Sequence, residues 1–290
     1  ALLRRFRMVD RDLRRDGWFA GRSHADHGHD LSGKRLGIVG MGNVGRAVPR
    51  MTQGFGLSVS ATTRSTGNLP DGVAGAELVT LLETSDVVVL CCPLTPQTRG
   101  LISRERIAQM KPGAILINAA RGTVVDIDAL VNVLRDNKLA GAAIDVFPEE
   151  PRSNNDEFIS PLREFDNVFL TPHVGGSTVE AQLNIGMEVA DKLVKYSDNG
   201  TTTSSVNFPE VALPAHPGKH RILHIHHNVP GILSAINQIF SDNNINICSQ
   251  YLQTSEKVGY VVMDIDEASS EFAVEKLLNV KGTIRCRVLF

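Results

Sequence analysis

Three features predict a doubly wound α/β fold followed by a smaller α/β module. From residue 34 to about 173, short apolar, β-branched runs alternate with amphipathic helical stretches. The runs are continuous rather than alternating, as expected of parallel strands covered on both faces. A polar, turn-rich stretch over 197–219 then gives way to a strand–helix–strand–strand–helix–strand succession, the ferredoxin-like βαββαβ order. A length of 290 residues suits two domains, and 42% hydrophobic residues suffice for their cores. A net charge of -2 with 21% charged residues gives no basic excess for nucleic acid and no acidic tail.

The elements follow in order. Residues 1–9, Arg-rich and amphipathic, read as a helix cut from a longer protein, without the apolar core of a secretory signal. Strands are expected at 35–39, 57–61, 87–90, 114–118, 142–146 and 168–171. A helix is expected at 128–137, where Ala129, Leu130, Val133 and Leu134 repeat at helical spacing. The longest apolar runs, such as 86–92, are strand-sized, short of the ~20 residues of a membrane helix. A further helix is expected over 177–196. The second module should run strand 221–227, helix 230–242, strands 245–254 and 258–265, helix 269–279 and strand 283–289. The domains are therefore drawn at 1–176, 177–219 and 220–290. Cys91, Cys92, Cys248 and Cys286 show no framework spacing and read as core thiols of a reducing cytoplasm.

Strand 35–39 runs into Gly40-Met41-Gly42-Asn43-Val44-Gly45, and a helix should follow. A glycine loop between strand and helix, heading a run of βα units, is the Rossmann-type dinucleotide site. Gly40 permits the tight turn, Gly42 lets backbone approach a pyrophosphate, and Gly45 allows close packing of helix on strand. The helix N-terminus offers N–H groups to the phosphates. Pro49 falls inside that helix and should bend or shorten it. The end of the second strand reads Thr62-Thr63-Arg64-Ser65-Thr66, with no carboxylate for ribose hydroxyls. Arg64 among hydroxyls suits the 2′-phosphate of NADP; alternatively it stacks on adenine and NAD binds.

Three ionisable residues fall just after expected strands: Arg121 in Asn118-Ala119-Ala120-Arg121-Gly122, Glu150 in Pro148-Glu149-Glu150-Pro151, and His173 in Thr171-Pro172-His173-Val174-Gly175-Gly176. Hydride transfer from a 2-hydroxy acid needs such a set. An imidazole takes the hydroxyl proton, a carboxylate fixes its tautomer and favours its protonated form, and a guanidinium grips the substrate carboxylate. Asp145 could accept hydrogen bonds from a nicotinamide carboxamide.

These motifs, in this order, resemble the D-isomer-specific 2-hydroxyacid dehydrogenases. Over 111–290 the resemblance, carried by 119–126, 139–148 and 195–200, narrows to the bacterial, serine-inhibited branch. That branch oxidises D-3-phosphoglycerate to 3-phosphohydroxypyruvate, the first step of L-serine biosynthesis. Residues 1–110 resemble the superfamily more generally, and Thr63-Arg64-Ser65 resembles its NADPH-using hydroxypyruvate and glyoxylate reductases. The resemblance implies a catalytic set of Arg121, Glu150 and His173. It also implies NAD or NADP held by Gly40, Gly42, Asn43, Val44, Gly45, Thr63, Arg64, Pro93, Ala119, Arg121, Asp145, His173 and Gly175. A homo-oligomer formed through both domains, a cytoplasmic location and a further N-terminal segment of substrate domain are implied too. Residues 220–290 resemble an ACT domain, which implies L-serine held by His226, Asn228 and Asn246 between paired modules. Pro217, where the family places paired glycines, should stiffen the hinge before that module.

Other readings stand beside these. The chain could be a hydroxypyruvate or 2-ketoglutarate reductase, or a non-catalytic cofactor and serine sensor. His224, His226 and His227, or His24, His27 and His29, could form a metal site, against the plainer readings of core histidines and a solvated loop.

Overall fold

A computed structural model describes residues 1–64, 69–153, 155–266 and 269–290. The chain divides into two compact units, Ala1–Thr178 and Val179–Phe290.

The first unit opens with α1 (Phe6–Asp16) and α2 (Trp18–Ala25), two helices where the sequence suggests one. Gly17, at φ 91°, breaks them in a conformation that L side chains rarely adopt. Then come β1 (Arg35–Val39), α3 (Asn43–Thr52), β2 (Ser58–Thr62), β3 (Val73–Gly75), α4 (Leu78–Thr84), β4 (Val87–Leu90) and α5 (Arg104–Gln109). The unit ends with β5 (Ile115–Asn118), α6 (Ile127–Arg135), β6 (Gly141–Ile144) and β7 (Val168–Leu170). All seven strands are parallel, in the order β3-β2-β1-β4-β5-β6-β7.

The continuous apolar runs behave as expected, because successive residues feed opposite layers. Val88, Leu90 and Leu116 join the core on one face, and Val87, Val89, Ile115 and Ile117 that on the other. Edge strand β3, three residues long, is too short to show any period and escapes sequence reading. Pro49 does not end α3, which continues to Thr52.

The second unit contains α7 (Val179–Asn199), β8 (His220–His227), α8 (Ile232–Asp242), β9 (Ile247–Thr254), β10 (Val258–Ile265), α9 (Ser270–Leu278) and β11 (Thr283–Leu289). Its antiparallel sheet runs β11-β8-β10-β9, the ferredoxin-like order. Ile222, Val261, Met263 and Ile265 meet α8 and α9 on one face of that sheet.

The stretch between α7 and β8 is no free tether. Phe208, Val211 and Leu213 cover Leu223, Tyr260 and Leu289 on the second face. The Arg221 side chain, fully buried, pairs with Asp264 at 2.6 and 2.8 Å and donates to the carbonyls of Asn199 (3.1 Å) and Pro214 (2.8 Å). The Tyr260 hydroxyl donates to Gly200 O at 2.7 Å. Polarity of composition misleads here because the polar side chains alternate with the few apolar ones that dock. Lys219 N–H closes a turn onto His216 O, with Pro217 and Gly218 between them and Gly218 at φ 67°. Proline followed by a left-handed glycine is the arrangement of a type II turn.

Candidate active site

The site collects at the carboxyl ends of the first unit's strands, next to the point where strand order reverses between β1 and β4. Open parallel sheets bind ligands there. Gly40 leaves β1 at φ 97°, and its N–H donates to Thr62 O on β2 at 2.9 Å. A Cβ on Gly40 would lie 2.8 Å from the backbone of Cys92, and one on Gly45 would strike the Gly40 carbonyl. A Cβ on Gly42 would meet nothing within 4 Å. Gly40 thus seats the loop against the backbone after β4 and Gly45 closes it on itself, while Gly42 opens a cradle ahead of α3. Asn43 and Val44, both exposed, begin that helix. The residues fit a dinucleotide pyrophosphate, which needs such a bare backbone at a helix N-terminus.

Thr63 and Arg64 follow β2, half-buried and exposed respectively; Ser65 and Thr66 lie outside the described residues. Pro93 lies beyond β4, where its carbonyl accepts from the Thr98 hydroxyl at 2.6 Å.

The loop after β5 is held by a residue that single-position reasoning passed over. Asn118, fully buried, accepts from Ala120 N–H and donates to Arg121 O, both at 3.1 Å. Its side chain brackets Ala119, Ala120 and Arg121 from below. Arg121 is exposed, with Nη1 donating to Ala120 O at 2.6 Å. A side chain on Gly122 would collide with the backbone of Phe147 and Pro148. The loop carrying Arg121 therefore rests directly on the loop carrying Glu150. Asparagine in the Asn-Ala-Ala-Arg-Gly run was the available signal.

Glu150 accepts from Phe147 N–H at 3.0 Å and, through its other oxygen, from His173 Nδ1 at 2.9 Å. Burial pushes the Glu150 carboxyl up, but His173 and the Phe147 N–H outweigh it and hold it below the usual carboxylate range. With Nδ1 occupied, the neutral imidazole presents Nε2 as its acceptor.

His173 sits at φ 53°, uncommon for a residue with a side chain. Asp145 holds it there. The Asp145 carbonyl accepts from His173 N–H at 2.8 Å, and its carboxylate accepts from the Thr171 hydroxyl (2.6 Å), Val174 N–H (2.9 Å) and Gly175 N–H (3.2 Å). Burial pushes the Asp145 carboxyl up; these three donors and nearby His173 prevail and keep it ionised.

In the second unit His226 is 2% exposed, with Nδ1 donating to His227 O at 2.9 Å. Asn228 and Asn246 are exposed. His24 is bonded through Nε2 to buried Asp12 at 2.7 Å. No cluster of three metal-ligating side chains occurs among the described residues, and none of their helices is long and apolar enough to cross a membrane.

Comparison with known proteins places this geometry. Residues 1–175 match the family model described as D-isomer specific 2-hydroxyacid dehydrogenase, NAD binding domain. The chain belongs to the D-isomer-specific 2-hydroxyacid dehydrogenases. Within that family it is 54% identical over 291 residues to D-3-phosphoglycerate dehydrogenase of Haemophilus influenzae, covering 100% of this chain and 70% of the relative. It is 53% identical over 265 residues to the Escherichia coli K12 enzyme of that name, covering 90% of this chain and 64% of the relative. Residues 222–285 match an AHAS small subunit-like ACT domain. Among solved dehydrogenases, NAD-dependent formate dehydrogenase from Staphylococcus aureus in complex with NAD superposes with TM-score 0.62 at 28% identity, covering 70% of this chain and 60% of that one.

Proposed function

We propose that the protein oxidises D-3-phosphoglycerate to 3-phosphohydroxypyruvate with a nicotinamide cofactor, as the first step of L-serine formation in the cytoplasm. The observation that carries this reading is the His173–Glu150 pair at 2.9 Å, set beside the Arg121 loop in a family of 2-hydroxyacid dehydrogenases. The bound cofactor would supply the hydride acceptor, with its pyrophosphate at Gly40, Gly42 and Gly45.

The chain's own residues do the rest. The Arg121 guanidinium holds the substrate carboxylate and orients the C2 hydroxyl. His173 Nε2 takes the hydroxyl proton as hydride leaves C2, so the alcohol loses two electrons and two hydrogens and becomes the ketone. Glu150 offsets the imidazolium charge that forms. Asp145 fixes the His173 loop.

Thr63 and Arg64 favour a second reading of the cofactor. A guanidinium where a carboxylate would repel phosphate suits NADP. L-Serine at His226, Asn228 and Asn246 of paired ACT modules is our assignment for the effector, in a homo-oligomer joined through both domains.

The test is 3-phosphoglycerate-dependent reduction of NAD and NADP, with and without L-serine. Turnover that serine suppresses, and that His173→Asn abolishes, supports the whole reading. Binding of cofactor and serine without turnover would replace it with that of a sensor.

A further inference from the structure

The second unit contains a buried pair of imidazoles, of which the proposed serine site uses only His226 and leaves His224 without a role. His224 and His226 lie on β8 with Ile222, on the sheet face covered by α8 and α9, and their ring centroids are 5.5 Å apart. His224 is fully buried, and its Nε2 is 2.8 Å from the Thr283 hydroxyl. That hydroxyl already donates to Leu277 O at 2.9 Å, so it can only accept from His224. The bond fixes the tautomer, with the proton on Nε2 and a bare lone pair on Nδ1. His226 donates through Nδ1, which leaves Nε2 bare. Neither bare nitrogen has a hydrogen-bond partner among the described residues.

A relay therefore runs from β8 through Thr283, at the start of β11, to Leu277 at the end of α9. Protonation of His224 Nδ1 leaves that bond in place but puts a full charge on a ring held in an apolar setting. The neighbours offer a cation little beyond the Leu277 carbonyl. Opposite the pair stand Gly259 and Val261 on β10 and Thr283 and Cys286 on β11. Burial pushes the Cys286 thiol up to about 12, so it stays neutral. Ile232 and Ile236 of α8 and Ala273 and Leu277 of α9 complete the apolar cover. His220 is tied to Ser270, and Arg285 and Arg287 stand opposite Ile225 and Leu223 on the other face. No carboxylate is among the groups that act on His224.

We propose that His224 is a proton-operated latch: protonation of its bare nitrogen releases the β8–β11–α9 corner and opens the second unit on mild acidification. Burial, then His226, lower the His224 pKa from 6.5 to about 4. The sign follows from linkage. The opened state binds the proton more readily, so stability is complete above 6.5 and is lost as pH falls toward 4. Across that window one such group raises the opening constant about tenfold per pH unit.

The chain carries separate probes for its two units. Trp18, the single tryptophan, reports on Ala1–Thr178, whereas Tyr196, Tyr251 and Tyr260, all three tyrosines, report on Val179–Phe290. Urea unfolding of the full chain at pH 7.5 to 4.5 should show a tyrosine transition that weakens on acidification. His224→Gln keeps a donor near Nε2 and removes the titration. It should cut the change in the second unit's opening constant between pH 6.5 and 4.5 by about 40-fold relative to the native chain. An unchanged pH profile in that variant overturns the proposal. If the variant does not fold, the native chain supplies the answer through the His224 ring protons. A midpoint well below 6.5, coincident with loss of amide protection on β8 and β11, supports the latch; an ordinary midpoint overturns it.

Discussion

Asn118 is the position from which loop geometry can be taken apart most cleanly. It makes two hydrogen bonds, to Ala120 N–H and Arg121 O, each 3.1 Å long, and its side chain is fully buried. Asn118→Ala removes both bonds, worth about 1 kcal/mol apiece, and leaves the buried Ala120 N–H unmatched together with a small void, while Arg121 O keeps the Val124 N–H. The expected loss of stability is about 2–4 kcal/mol. Arg121 then loses its register, and displacement of a substrate-positioning group by about 1 Å costs on the order of 100-fold in rate. Cofactor affinity should fall less than turnover, because the glycine loop is built independently from β1, β2 and β4 and only Ala119 and Arg121 of the expected cofactor set lie on the displaced loop. Asn118→Asp gives a second handle. Its carboxylate still accepts from Ala120 N–H but faces the Arg121 carbonyl, so it destabilises at neutral pH. Protonation restores a donor, and its deficit should shrink as pH falls. Urea unfolding, kcat/KM with 3-phosphoglycerate and a cofactor titration decide the matter. Loss of cofactor affinity in step with turnover, or an Asp variant whose deficit grows on acidification, would refute the reasoning.

Three further outcomes are expected. Gly45→Ala drives a methyl group into the Gly40 carbonyl, and should weaken dinucleotide binding by at least about tenfold in a fluorescence titration while leaving the second unit's unfolding unchanged. Arg64→Asp should shift the NADP/NAD affinity ratio toward NAD by one to two orders of magnitude, the scale of a lost phosphate pair plus a new repulsion; an unchanged ratio means Arg64 does not read the 2′-position. Glu150 has its carboxyl depressed by its partners, so the stability it confers is complete above its ordinary value of 4.5 and is lost as pH falls through the depressed one. The difference in unfolding free energy between native chain and Glu150→Gln should therefore vanish in acid, and constancy down to pH 3 would contradict the pairing.

Much of this was legible because it depends on local rules. Parallel strands buried on both faces must be continuous apolar runs, so six of the first unit's seven strands were placed within a residue or two at each end. β6 starts one residue before the expected run and ends at Ile144, two residues before Val146. A glycine loop between strand and helix leaves few alternatives. What the sequence concealed depends on partners far along the chain. β3 exists because Val59 to Ala61 offer it a ladder, not because Val73-Ala74-Gly75 is a strong strand former. Asn118 and Gly122 look like motif filler until the loop after β6 lies against them. The stretch after α7 reads as tether because nothing local announces that Arg221, on β8, collects its carbonyls.

Asp145 carries the last step. From sequence it belongs to the cofactor, as acceptor for a carboxamide. In the structure its two oxygens take three donors from Thr171, Val174 and Gly175, and its carbonyl takes the N–H of His173. Most of its acceptor capacity is thus spent on the loop that presents the proposed base. Any group that approached Asp145 from the cofactor side would share a carboxylate that also sets the left-handed backbone of His173. Cofactor seating and base placement are then one adjustment rather than two. Asp145→Asn, which trades an acceptor for a donor beside those N–H groups, should lower turnover more steeply than it lowers cofactor affinity. Equal losses would confine Asp145 to the cofactor and separate it from the placement of His173.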